Sequence, residues 1–269
     1  MTHIIAKTLT LKNCLAIGLL AGLMACQTPQ GPTDISEKPT TYLHGVKATA
    51  FFNAAIENKL VFEQTYALAE WRLLENLKHL DRSGHPPAVI LDIDETVLDN
   101  SPYELENIRL GRTYTPETWK AWTAKAIAQP LPGALKFCKF ADSLGVQVFY
   151  ISNREVDEQE ATEANLIAAG FPQIVAGHVL LKSDTSDKTS RRSSVKDSHS
   201  VILLLGDNLR DFDEVFVRQP GAHGNHLLAQ YRDTLYSHFI MFPNPMYGEW
   251  EKAMEAYLAN PKSELIPEL

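Results

Sequence analysis

Cysteine, positive charge and long apolar runs are all scarce in this chain of 269 residues. The three cysteines are Cys14, Cys26 and Cys138. The first lies in an N-terminal leader and the second at its end, so no intrachain disulfide is open to the processed chain. Cys138 sits in the helical string PGALKFCKFADSLG and reads as a small buried hydrophobe, with nothing to mark it as catalytic. Lysine and arginine number 25 against 33 acids, a formal charge of −8. Loss of the leader takes two lysines and no acid, which leaves roughly −10. Such a balance, without basic clusters, argues against a nucleic-acid polymer as partner but leaves room for a small anion in a locally positive site. His178, His199, His223 and His238 have no metal-ligand spacing, and no internal repeat is evident.

The apolar stretch Cys14 to Leu23 is too short to span a bilayer comfortably, and no acid accompanies Lys7 and Lys12. Residues 1–25 therefore read as a secretory signal. They end in Leu23-Met24-Ala25-Cys26, which resembles a bacterial lipoprotein cleavage box, with Met24 where a smaller residue is usual. The resemblance implies lipidation at Cys26 and a membrane held through that lipid. Gln27, not aspartate, follows the cysteine, and this resembles the outer-membrane pattern. Residues 26–40 carry three prolines, a glycine and no apolar periodicity, and read as a flexible tether. With 45% hydrophobic content, the remainder, 41–269, is long enough for one domain with a modest insertion.

Apolar residues at near-helical spacing from Leu43 to Leu80 predict one long helix or two joined, and Ser83 to Pro87 breaks the pattern. The run from Ala88 to Leu91 predicts a strand buried on both faces. Thr115-Pro116-Glu117 opens a helix bearing Trp119 and Trp122, and a second helix runs on to Gly145. Strands over Val146–Ile151, Val179–Leu181, Val201–Leu205 and Phe239–Phe242 then alternate with helices. The last helix is expected over Tyr247–Leu258. Such alternation implies an α/β fold with a parallel sheet flanked by helices. The Trp-bearing segment, about 103–130, falls where a small helical cap would be inserted over the active edge.

The central strand delivers Asp92 and Asp94 to its end, the edge at which open α/β sheets bind ligands. Two carboxylates so placed are costly unless a cation compensates them, and Mg²⁺ suits one or two carboxylates plus a substrate phosphate. The string Asp92-Ile93-Asp94-Glu95-Thr96 resembles the first motif of the haloacid dehalogenase (HAD) superfamily of phosphohydrolases. More narrowly, DETVLDNSPY, up to Tyr103, resembles the class C nonspecific acid phosphatases, which include bacterial lipoprotein 5′-nucleotidases. That resemblance implies a HAD-like Rossmannoid sheet with a smaller helical cap and an N-terminal helical segment.

It also implies three further parts on later strands. Ser152 stands where the superfamily binds the phosphoryl group, with Asn153 beside it among the substrate-binding residues. A lysine is needed to bring phosphate near carboxylates, because like charges about 4 Å apart cost on the order of 4 kcal/mol at an effective dielectric of 20. Lys182, Lys188 and Lys196 are the candidates. The spacing of Lys182, Ser186, Lys188 and Arg191 reproduces the family pattern and favours Lys188. Last, LLLGDNLRDF puts Asp207 and Asp211 on one side of a helical turn after a buried strand. By resemblance Asp207 joins the Asp92 carboxylate and the Asp94 carbonyl on Mg²⁺, and Asp211 holds metal-bound water or Lys188.

The chemistry expected of these parts is in-line attack by Asp92, with Asp94 as general acid and then base. Neighbouring negative charge is expected to keep Asp94 protonated, which predicts an acidic optimum. Trp119 and Tyr247 resemble the positions where the family stacks the base or nicotinamide ring of a 5′-mononucleotide, nicotinamide mononucleotide included. The resemblance leaves a homodimer open. A two-metal phosphoesterase lacks its Asp-x-His here, and a histidine acid phosphatase lacks its Arg-His-Gly string. The alternative from another class is a surface binding lipoprotein, of haem or adhesion type, built on the same scaffold.

Overall fold

The computed structural model describes residues 40–81, 84–217 and 224–252. The expected signal, Cys26 and the tether up to residue 39 lie outside them. Helices α1 (Thr40–Ala54) and α2 (Ile56–Lys78) form the predicted N-terminal helical segment, divided where Ala55 turns extended at ψ 129°. On α2, Phe62, Tyr66, Ala69 and Leu73 recur at three- and four-residue spacing and are fully buried. Burying a side chain such as Leu73 contributes about 1.5–3 kcal/mol, so this face is what docks the helix on the domain.

Strand β1 (Pro87–Leu91) follows. An insertion succeeds it, covering the stretch expected to hold the cap: β2 (Leu98–Asp99), α3 (Ser101–Leu110), α4 (Pro116–Thr123) and β3 (Gln129–Pro130), with β2 and β3 paired antiparallel. Helix α3 falls in a stretch the sequence reading left without an element. Its signals are Pro102 in the first turn and Gly111 closing the end at φ +64°. Helix α4 starts as expected, with Thr115 and Thr118 forming a reciprocal capping box.

The main layer resumes with α5 (Ala134–Ser143), β4 (Gln147–Glu155), α6 (Gln159–Ala168), β5 (Val179–Lys182), α7 (Thr189–Lys196) and β6 (Ser200–Gly206). Short helices α8 (Asn225–Gln230) and α9 (Arg232–His238) lead to β7 (Phe239–Met241). The five long-range strands are parallel in the order β5-β4-β1-β6-β7. Side-chain alternation along β1 sends Val89 and Leu91 into the core under α2 and α5, and Ala88 and Ile90 into a second core with Val195 and Phe212. The sheet is thus covered on both faces, as its near-continuous apolar strands require.

Register sets the site. Leu91 lies opposite Tyr150 on one side and Leu205 on the other. The residues just past these partners, Asp92, Ser152 and Asp207, therefore meet at one edge. The Asp92 N–H donates to the Leu205 carbonyl at 2.9 Å, so the sheet ladder holds the backbone right up to the first carboxylate. The last expected helix is not seen to begin at Tyr247. That residue lies in a bend, because the Asn244 side chain accepts from the N–H groups of Met246 and Tyr247, and Gly248 takes φ +150°.

Candidate active site

The loop after β1 is fixed from two directions. The Tyr66 hydroxyl of α2 donates to the Thr96 carbonyl at 2.6 Å. Glu95, fully buried with φ +58°, accepts the Asn100 N–H at 2.8 Å. Burial, with the nearby Asp94 and Asp207 carboxylates, pushes the Glu95 carboxyl well above its ordinary value. With this turn rigid, Asp92 and Asp94 face different company.

Asp92 is 7% exposed and paired with the Lys188 ammonium, which also donates to Asp211 Oδ1 at 2.7 Å. Lys188 sits at the N-terminal boundary of α7 and is itself buried. Of the three candidate lysines it is the one that reaches the aspartates; Lys182 pairs with Glu155 at 2.7 Å, and Lys196 is exposed at the end of α7. Asp211 ends a 3₁₀ turn, Leu209–Asp211, and its Oδ2 accepts the Asn208 N–H at 2.9 Å. Gly206 allows this turn to fold back, since a Cβ there would overlap the Asp211 carboxylate.

Asp92, Asp207 and Asp211 each bring a carboxylate oxygen within 4.8 Å of the others. Burial pushes Asp92 from 3.8 up to about 7, against the pull of Lys188 and with the push of Asp211 and Asp94. Burial, then Asp211 and Asp92, drive Asp207 well above its ordinary value. Lys188 is held above its own ordinary value, because Asp211 and Asp92 outweigh the burial that would lower it. One ammonium among three crowded acids leaves negative charge in excess, and a hard divalent cation relieves it; the donor set therefore fits a metal. Both Asp211 oxygens are engaged by protein donors, so Asp92 and Asp207 are the better-placed ligands. Asn244 Nδ2 steadies Asp207 Oδ2 at 2.8 Å.

Asp94 has the opposite surroundings. Arg154 forks onto it with Nε and Nη2 at 3.0 and 2.8 Å from Oδ1. Asn100 Nδ2 donates to the same oxygen at 2.9 Å, and the Ser152 hydroxyl donates to Oδ2 at 3.0 Å. Neighbouring negative charge was the expected company for Asp94; the groups that touch it are donors, one of them a guanidinium 2% exposed. Ser152 is buried, and Asn153 is exposed with its Oδ1 held by Arg191 at 2.7 Å.

These groups open into a cleft of about 620 Å³ lined also by Trp119, Tyr114, Tyr247, Glu104 and Arg210. Trp119 meets Tyr103 edge-on at 5.3 Å between ring centroids, which holds it partly exposed toward the cleft. All the site residues expected from the sequence and described here, Asp92, Asp94, Trp119, Asn153, Lys188, Asp207, Asp211 and Tyr247, line this one cleft, with Ser152 against Asp94 beneath it. Sequence reasoning missed Arg154, Asn100 and Asn244. A signal existed for Arg154, which shares a strand face with Ser152 two residues earlier. Asn100 and Asn244 act through contacts that no local pattern announces. Cys138 is buried, and burial pushes its thiol up to about 12, in keeping with an inert core residue.

Residues 34–250 match the family described as HAD superfamily, subfamily IIIB (Acid phosphatase). The fold superposes on the class C acid phosphatase from Bacillus anthracis with a TM-score of 0.75 and 36% identity, over 84% of this chain and 93% of that one. The crystal structure of that enzyme with tungstate bound gives the same TM-score and identity over 92% of its chain. A more distant relative is the stem 28 kDa glycoprotein of Glycine max, 26% identical over 227 residues, 80% of this chain and 75% of that one.

Proposed function

The chain belongs to subfamily IIIB of the HAD superfamily and is an acid phosphatase, a phosphomonoester hydrolase; from that premise we propose that it hydrolyses 5′-mononucleotides, nicotinamide mononucleotide among them, with Mg²⁺ as its metal. The observation that carries this reading is one cleft holding both the aspartate–lysine cluster and the aromatic pair Trp119 and Tyr247. A phosphate fits where Lys188 faces the acids, and a planar ring fits against Trp119 or Tyr247 because every base has a π face.

Asp92 and Asp207, with the Asp94 carbonyl, would hold the metal, which supplies charge neutralisation that keeps Asp92 ionised and offsets charge on the phosphoryl oxygens. An Asp92 oxygen attacks phosphorus in line, the bond from phosphorus to the ester oxygen breaks, and an aspartyl-phosphate forms. Lys188 and Ser152 steady the phosphoryl oxygens. As Ser152 turns its hydroxyl from Asp94 to the phosphoryl group, an Asp94 oxygen is released to face the leaving oxygen and give it a proton. Asp94 then takes a proton from the water that splits the aspartyl-phosphate, and phosphate and free Asp92 result. Need for a protonated Asp94 at the first step favours the acid range.

The test is phosphate release from a 5′-mononucleotide at about pH 5 to 6, the acid range expected of a reaction that needs a protonated donor to the leaving group, with Mg²⁺, with chelator, and with Asp92→Asn. Metal-dependent release that the variant lacks supports the proposal. Release from simple phosphate esters but from no nucleotide would overturn the substrate assignment. Lipidation at Cys26 and an outer-membrane location remain part of the proposal on the strength of Leu23 to Gln27 alone; incorporation of labelled fatty acid that persists in Cys26→Ser would sink the lipidation.

A further inference from the structure

The cap helix α4 does not touch Asp94, yet each of its two tryptophans is one side chain away. Trp122 is 9% exposed, and its Nε1–H donates to Asn100 Oδ1 at 2.8 Å. Asn100 is fully buried, and Arg154 Nη2 approaches the same Oδ1 at 3.5 Å. With two donors directed at its oxygen, the Asn100 amide has one satisfactory orientation, the one that turns Nδ2 onto Asp94 Oδ1. Flipping it would set N–H against N–H inside the protein.

Trp119 reaches Asp94 by another route. The Arg154 guanidinium lies 5.8 Å from the centre of the Trp119 ring, within cation–π range. Thr162 of α6 accepts from Arg154 Nη1 at 3.2 Å, and Asp94 takes the remaining fork. Helix α4 is itself anchored, since the Tyr103 hydroxyl and Thr118 Oγ1 lie 2.9 Å apart and the capping box closes its first turn. A ligand ring resting on Trp119 would therefore bear on a side chain that touches the residue aiming Asp94.

We infer that Trp122, through Asn100, and Trp119, through Arg154, are positioning residues that aim the Asp94 carboxyl at the leaving oxygen, so that the cap governs leaving-group protonation. This rests on the reading of Asp94 as the proton donor to the leaving group. It predicts a dependence on leaving group that general loosening of the fold would not produce. An alkoxide such as the nucleoside 5′-oxygen needs a proton as it departs, whereas p-nitrophenolate leaves with little help.

The experiment compares kcat/KM, which reads the steps up to leaving-group departure and not the shared hydrolysis of the aspartyl-phosphate, for a 5′-mononucleotide and for p-nitrophenyl phosphate in Trp122→Phe, which keeps the aromatic packing and removes the N–H, and in Arg154→Lys, which keeps the charge and removes the fork. Thermal melting accompanies each variant. Expected is a roughly 10- to 100-fold loss on the nucleotide, the scale of a small misplacement of a catalytic group, with p-nitrophenyl phosphate little changed. Trp122→Phe combined with Asp94→Asn should lose no more than Asp94→Asn alone, since the first acts through the second. Equal losses on both substrates, or none on either, in a folded Trp122→Phe or Arg154→Lys would overturn the inference. Asp94→Asn separates the two layers of argument: if it lowers kcat/KM for both substrates alike, Asp94 is not the leaving-group acid and the inference falls with that reading. If Asp94→Asn discriminates and the positioning variants do not, the inference alone falls.

Discussion

Asp92 and Asp94 leave one strand two residues apart, and the chain treats them as opposites. Around Asp92 stand Lys188 and two more acids, a crowd of negative charge with one resident cation. Around Asp94 stand an arginine, an amide and a hydroxyl, all donating. Burial raises Asp92 to about 7, and its immediate remedy is a second cation. The lesson is that role follows neighbours more than residue type: one carboxylate is left short of positive charge, which suits metal and phosphate, while the other is oriented by donors, which suits proton handling.

Breaking the Asp92 half should have the largest effect. Asp92→Asn is expected to lower kcat by at least roughly 10⁴-fold, as removal of an attacking group does elsewhere, while the protein stays folded, because a neutral amide relieves the crowding. Phosphate-release assays with matched melting curves check it. Lys188→Met comes next. Without that ammonium three acids face one another unpaired, and a cost of about 3–5 kcal/mol is expected. Urea unfolding in chelator should show that cost at pH 7 and much less of it at pH 4.

The third effect concerns pH and metal together. Asp92 holds a proton in the folded chain up to about 7 but releases it near 3.8 when unfolded. The folded state therefore binds more protons between these values, and stability of the chelated protein should fall as pH rises through that window and level off above it. Mg²⁺ should remove most of the fall and should bind more weakly at pH 5 than at pH 7, since it competes with that proton. Calorimetry across pH, with and without metal, reads both. Smallest is Trp119→Ala, expected to raise KM for nucleotides by roughly tenfold, at the low end of measured base stacking on aromatics. The same variant sharpens the comparison, because on the positioning argument it should also slow single-turnover formation of the aspartyl-phosphate from nucleotides more than from p-nitrophenyl phosphate.

Legibility in the sequence followed the density of apolar patterning. Strands β1, β4 and β6 are runs of Val, Ile, Leu, Phe and Tyr, and α2 repeats its apolar face over about four turns from Phe62 to Leu77; such segments announce themselves. Helix α7, TSRRSSVK, does not, since it buries only Arg192 and Val195. It holds its place partly by Arg192 donating to the carbonyls of Arg210 and Asp211, contacts made across the fold. The two-residue strands β2 and β3 are too short for any period to show. Among site residues, those carried by a strand-end motif were legible one by one, and Asn100 and Asn244 were not, because a single amide has no signature until its partners are near.

The sequence by itself determined the α/β alternation, the buried strands and the types of group that end them, because apolar period and turn chemistry are local properties. Only the tertiary structure decided the strand order, which of Lys182, Lys188 and Lys196 reaches the aspartates, and the opposite surroundings of Asp92 and Asp94. Those depend on which distant side chains arrive within hydrogen-bond reach of each carboxylate, and in a low-dielectric site that company, not the residue's own chemistry, sets its charge and direction.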